Sequence, residues 1–186
     1  MASEPSKKDP LTTLAVRMKK GDRKAAAALY DELSPKVYGF FFTRTGRRET
    51  AEDLSQDMFL KLVEKVDSFD ETRGRFVVWF WQVARNLLVD YYREKKEVAF
   101  SAFEESQVEA MSITEAPDLD GRLGYRKVQH LVKSLSEEEK ELFELRFVAE
   151  MPYREVSEIM GKSEIALRVA ASRIKGRIKK ELKDEI

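Results

Sequence analysis

The sequence predicts an all-α protein: two small helical domains joined by an acidic flexible linker, the second containing a helix-turn-helix. Three observations predict it. Apolar residues recur at steps of three and four through both halves of the chain, which is the spacing of one helix face. Between the halves, residues 97 to 124 lose that periodicity and carry Pro117, Gly121 and Gly124. Near the C-terminus two short amphipathic stretches flank Gly161, the arrangement of a helix-turn-helix.

Composition narrows the function. Of 186 residues, 42% are apolar, enough for a real core, and 37% are charged. Lys and Arg number 34 and so do Asp and Glu, so the chain is not basic as a whole. Any nucleic-acid binding must rest on local segregation of charge. The absence of Cys excludes disulfides, thiol nucleophiles and cysteine metal sites, and fits a reducing cytoplasm. A single histidine, His130, has no clustered partner, so the parts of a histidine metal site or a catalytic triad are lacking. No stretch reaches the ~20 apolar residues of a membrane span, and the N-terminus has no apolar core of a signal peptide.

The N-terminal residues read as disordered. Asp9-Pro10 then starts a first helix, with Pro at its first position and a stripe of Leu11, Leu14, Ala15 and Met18. Asp22 caps a second, which Ser34-Pro35 is expected to break, leaving a separate third helix from Lys36 to about Thr43. Thr50 to Asp53 has capping-box spacing. The helix after it buries Leu54, Met58, Leu62 and Val66, with Phe59 and Val63 beside them. Its other side carries Asp53, Gln56, Asp57, Leu60 and Glu64. An exposed Leu60 ringed by acids has two readings, a solvated face or a protein-docking face.

Phe69 to Lys96 organises the first half. A polar turn, Asp70 to Arg75, leads into a stripe of Phe76, Trp79, Phe80, Val83, Leu87 and Tyr91, with Trp79 read as core. The other face carries Arg85, Asn86, Arg93 and Lys96. Cations suit phosphates, aromatics suit unstacked bases, and Asn can read a base edge. The linker that follows has a net charge of −6. Beyond it, Val128, Leu131, Val132 and Leu135 form a stripe, and Ser136 to Glu139 is a capping box for a helix to about Val148. Met151-Pro152 opens the helix Tyr153 to Met160, Gly161 ends it, and Ser163 caps a last helix with Leu167, Ala171, Ile174 and Ile178 inward. Residues 162 to 180 carry a net charge of +6, which with the turn points to DNA.

These segments together resemble a bacterial RNA polymerase sigma factor of the small two-domain, extracytoplasmic-function group. The resemblance rests on AEDLSQDMFLKL and on FDETRGRFVVWFWQVARNLLVDYYR. It implies domains at 1–97 (core docking, minus-ten element) and 125–186 (minus-thirty-five element), joined by the linker 98–124. It implies that Asp53, Gln56, Asp57 and Leu60 dock on the polymerase, against its beta-prime subunit, the core enzyme with beta-prime and beta being the partner. It implies that Phe69 to Phe76 captures a flipped minus-ten base, that Asn86 helps choose it, and that Arg75, Arg85, Arg93 and Lys96 meet DNA. In the second domain it places DNA contacts at Lys162, Ser163, Glu164, Arg168 and Arg173. The linker would thread towards the active-site cleft. Where the family commonly reads Gly-Thr-Val-Lys-Ser-Arg, this chain has Ile165-Ala166-Leu167-Arg168-Val169-Ala170, so Arg168 is expected to read sequence and Arg173 to anchor phosphate. The implied protein is a cytoplasmic, non-catalytic promoter-specificity subunit. It would have no cofactor, metal or small-molecule substrate, and promoter DNA and an anti-sigma factor would be further partners. The rival from the residues is a stand-alone helix-turn-helix regulator with an N-terminal sensor or dimerisation domain.

Overall fold

A computed structural model describes residues 9–103, 132 and 134–183. Every regular element among them is helical. In chain order they are α1 (Pro10–Lys19), α2 (Arg23–Thr45), α3 (Arg48–Lys65), a 3-10 turn (Val66–Ser68) and α4 (Phe76–Phe103). After these come α5 (Glu137–Phe143), a π turn (Glu144–Val148), α6 (Tyr153–Met160) and α7 (Glu164–Lys183). Chain contacts divide the molecule into two compact units: Met1–Ser34 with Glu52–Thr114, and Pro35–Ala51 with Glu115–Ile186.

The first unit is built on aromatic packing. Leu29, Leu54, Met58, Leu62, Phe76, Phe80, Trp81, Ala84 and Leu88 are buried. The Phe59 ring bridges Tyr30 of α2 at 4.7 Å and Phe80 of α4 at 6.3 Å. Truncating a buried Phe such as Phe80 to Ala would cost about 3–5 kcal/mol. Helix α1 packs on α4 and on the 3-10 turn, and it ties down both ends of the segment between them. Lys19 Nζ donates to the Phe69 carbonyl at 2.6 Å. The Phe76 N–H donates to Thr12 Oγ1 at 3.0 Å. The residues between those anchors, Asp70 to Gly74, are exposed.

In the second unit α5 and α6 both pack on α7, around Leu142, Leu145, Met151, Val156, Leu167, Ala171 and Ile174. The capping box at Ser136 is formed. The Glu139 N–H donates to Ser136 Oγ at 3.2 Å, and the Ser136 N–H donates to Glu139 Oε2 at 2.9 Å. Gly161 closes α6 at φ 67°, a left-handed conformation that glycine adopts without steric cost. The same unit holds an ion cluster that is buried at Glu144 and exposed at Glu137. Arg44 donates through Nε to Glu144 Oε1 at 2.7 Å and through Nη1 to Glu137 Oε2 at 2.6 Å. Glu144 is fully buried, and its Oε2 has no hydrogen-bond partner among the described residues. Burial pushes its carboxyl up to about 7, against the opposing pull of Arg44.

Four expectations are corrected. Pro35 does not break the chain, because α2 runs unbroken from Arg23 to Thr45. An interior Pro costs about 3 kcal/mol. Leu29, Leu33, Val37 and Phe41, four apart on one face, are all buried, and each returns about 1.5–3 kcal/mol. Thr50 is not an N-cap, since α3 begins at Arg48, and the Ala51 N–H already closes on the Arg47 carbonyl at 3.0 Å. Val63 is 63% exposed rather than flanking the core. Trp79 is half-buried while Trp81 is fully buried, so the buried face of α4 is rotated by about 60° from the stripe read in the sequence.

Two further expectations meet the edge of the described residues. Helix α4 continues to Phe103, into the stretch read as linker, and 104–124 lies outside. The helix expected from Tyr125 also lies outside, except that Val132 and Leu135 are described and buried.

Candidate functional site

The first surface lies on α3. Asp53, Gln56, Asp57 and Leu60 are all exposed, and steps of three and four put them on one face. Leu60 is 59% exposed, an apolar side chain held in water among acids. Val63, three residues on, extends this apolar surface, and Tyr30, also exposed, lies against Phe59 of the same helix. Sequence reasoning missed Val63 and Tyr30. Their signal was faint, since each is an ordinary residue in an apolar stripe.

The second surface lies on α4 and the segment before it. Asp70 accepts from the Thr72 hydroxyl at 2.7 Å and the Thr72 N–H at 2.9 Å. These bonds, the hydroxyl first, hold its carboxyl below the usual range. Phe69 and Phe76, the aromatic ends of the expected capture segment, are buried and present no open ring. Trp79 does present one. It rests on both rings, each at 5.7 Å between centroids, and remains partly exposed.

Trp79, Asn86 and Arg93 are seven apart, so they line one side of α4, with exposed Gln82 between them. Arg93 is exposed and pairs with Asp90 at 3.1 Å. Arg85 is exposed but lies about 100° around the helix from Asn86. The structure therefore joins Asn86 and Arg93 but places Arg85 on another side. Arg75 is half-buried at the mouth of the segment. The Lys96 side chain lies outside the described residues. Trp79 and Gln82 are the residues that sequence reading left out of the site. The seven-residue spacing was the signal that could have found Trp79.

The third surface is the outer face of α7. The Ala166 N–H donates to Ser163 Oγ at 3.3 Å, the expected cap. Arg168 pairs with Glu164 at 3.2 Å and lies over the Tyr153 ring at 4.4 Å from its centroid. Lys162 pairs with Glu138, and Arg177 with Glu139 at 3.2 Å. The Ser136 N–H, first among several bonds, keeps the Glu139 carboxyl below its ordinary range. Arg173, Lys175, Lys179 and Lys180 are exposed along the rest of α7. The structure thus brings Lys162, Ser163, Glu164, Arg168 and Arg173 to one helix and its cap. Among the described residues no group of His, Cys, Asp or Glu could hold a metal ion, and no helix is long and apolar enough to cross a membrane.

The described residues thus present three surfaces: an exposed acidic-apolar helix face, an aromatic and amide line on a second helix, and a basic helix-turn-helix. The Sigma-70 region 2 family model matches residues 29–98, and the Sigma-70, region 4 model matches 125–178. SigM of Bacillus subtilis, an ECF RNA polymerase sigma factor, is 30% identical over 165 residues, covering 81% of this chain and 91% of SigM. SigW of the same organism, also an ECF sigma factor, is 25% identical over 90% of this chain and 94% of its own length. BldN of Streptomyces coelicolor is 27% identical over 83% of the chain, which spans 59% of BldN. The fold is shared with the sigma factor RpoE of Bartonella quintana, at a TM-score of 0.63 and 22% identity over 84% of this chain and 96% of RpoE. CnrH gives a TM-score of 0.64 at 19% identity, over 96% of this chain and all of CnrH. The chain belongs to the ECF group of RNA polymerase sigma factors. It directs RNA polymerase to promoters at the start of transcription.

Proposed function

We propose that the three surfaces divide the work of promoter recognition. Asp53, Gln56, Asp57 and Leu60 dock on the beta-prime subunit of core polymerase, within a docking and minus-ten domain at 1–97. Trp79 stacks an unpaired minus-ten base, and Asn86 reads its edge. Arg75, Arg85, Arg93 and Lys96 meet phosphates. Lys162, Ser163, Glu164, Arg168 and Arg173 form the minus-thirty-five interface of a domain at 125–186, and 98–124 links the two. The protein acts in the cytoplasm and catalyses nothing itself. An anti-sigma factor is a further partner in this proposal. The RpoE structure is a complex with the anti-sigma factor NepR, and CnrH is in complex with the cytosolic domain of CnrY.

Energetics supports the need for polymerase. Opening DNA costs about 1.4 kcal/mol per stacked step, while a stacked flipped base returns about 1–3 kcal/mol. A bubble of roughly ten steps therefore exceeds what this chain supplies alone.

The observation that carries the proposal is Leu60, 59% exposed among acids on α3. Covering its exposed part is worth about 1–2 kcal/mol, or roughly 5–30-fold in affinity. The test is a titration of core polymerase with Leu60→Ala and with Asp53→Ala/Gln56→Ala. Both should bind more weakly with helical content unchanged, because these side chains touch solvent. Unchanged affinity in both removes the docking assignment.

A further inference from the structure

The outer face of α7 is not uniformly basic. Ile165 is 77% exposed and Val169 is 48% exposed, one helical turn apart. At about 100° per residue, the buried residues Leu167, Ala171 and Ile174 define an inward direction. Val169 points almost opposite to it and Ile165 within roughly 30° of opposite. These two apolar side chains therefore occupy the centre line of the outer face. Gly176 lies on the same line and adds no side chain. The cations lie to either side. Arg168, Lys175 and Lys179 flank one edge, and Arg173, Lys180 and Arg177 the other. Arg168 is further held off the line by Glu164 at 3.2 Å and the Tyr153 ring at 4.4 Å.

Two exposed β-branched side chains in the first turns of a helix edged by cations fit one occupant well. In a major groove the flanks of an inserted helix face the phosphates, and its first turns face the base edges. Of the groups displayed on that groove floor, the thymine C5-methyl is the apolar one. We infer that Ile165 and Val169 are specificity residues that read thymine methyls in the minus-thirty-five element. Arg168 then grips the backbone instead of reading a guanine. This rests on α7 being the minus-thirty-five interface. A protein partner on the same strip would need no flanking cations on both edges.

Deoxyuridine gives the test, since replacing dT by dU removes the methyl and leaves every hydrogen-bonding group. The full chain with core polymerase first selects promoters from a pool randomised in the minus-thirty-five region. Each dT there is then replaced singly by dU, and holoenzyme binding is measured. The wild type should lose about fourfold at one or two neighbouring positions, the effect of one apolar carbon group buried or left in water. Ile165→Ala should abolish the loss at one position, and Val169→Ala at the other. Neither should unfold the chain, because both side chains already face solvent. Selected sites without thymine, dU substitutions without effect, or Ile165→Ala and Val169→Ala that keep the wild-type methyl dependence would each overturn the inference. If scrambling the whole minus-thirty-five region changes nothing, the interface assignment itself falls and takes this inference with it.

Discussion

Glu144→Gln probes the ion cluster of the second unit, and the pH dependence of the wild type gives its size. Burial raises the Glu144 carboxyl from 4.5 to about 7. Between those values the native chain holds a proton that the unfolded chain has released. Stability from this group is therefore full below about pH 4.5 and is lost as pH rises through about 7. Integrated from roughly pH 5 to pH 8, at about 1.36 kcal/mol per unit, the loss is about 2.5 kcal/mol. The carboxylates held low, Asp22, Asp70, Glu137 and Glu139, work in the opposite sense. Their contribution is present above the ordinary carboxylate range and disappears only as pH falls below it, outside this window. Gln has the shape of the protonated acid and does not titrate. The lead of the variant over the wild type should therefore grow by about 2.5 kcal/mol between pH 5 and pH 8. Urea unfolding followed by circular dichroism at several pH values measures this. Parallel pH slopes in the two proteins would refute the reasoning, and so would a lead that shrinks towards pH 8.

Three other outcomes follow from the surfaces. Asn86→Ala should relax preference at one minus-ten position by about 1–3 kcal/mol, and Trp79→Ala should weaken every promoter opened at that base by a similar amount. Promoter-opening assays across minus-ten variants separate the two, and equal losses for Asn86→Ala on all variants would mean that it does not read a base. Arg173→Ala should weaken all minus-thirty-five sites about equally and lower the salt slope of holoenzyme binding by about one. A changed ranking of sites would instead make Arg173 a base reader.

What the sequence determined by itself was local. The Asp22 cap, which accepts from the Ala25 N–H at 3.1 Å, the Ser136 box, the Gly161 turn and the exposed side of α3 each depend on residues within about four of one another, where propensity and capping act. The charge separation that suggests two kinds of partner is also a property of the linear chain. What only the tertiary structure decided was choice among locally equivalent options. In Phe76 to Leu88 both sides of the helix are apolar enough to be buried, so periodicity alone could not choose between Trp79 and Trp81. Tertiary packing chose: Trp81 is buried against the Phe80 ring, and Trp79 rests on the Phe69 and Phe76 rings and stays partly exposed on the side that carries Asn86. Continuity through Pro35 was decided the same way, because burial on both sides of the proline outweighs one lost hydrogen bond. The pairing of Arg44 with Glu144, a hundred residues apart, had no local signal at all. An isolated Glu in a helical stripe reads as solvent-facing, and only a distant guanidinium makes its burial tolerable.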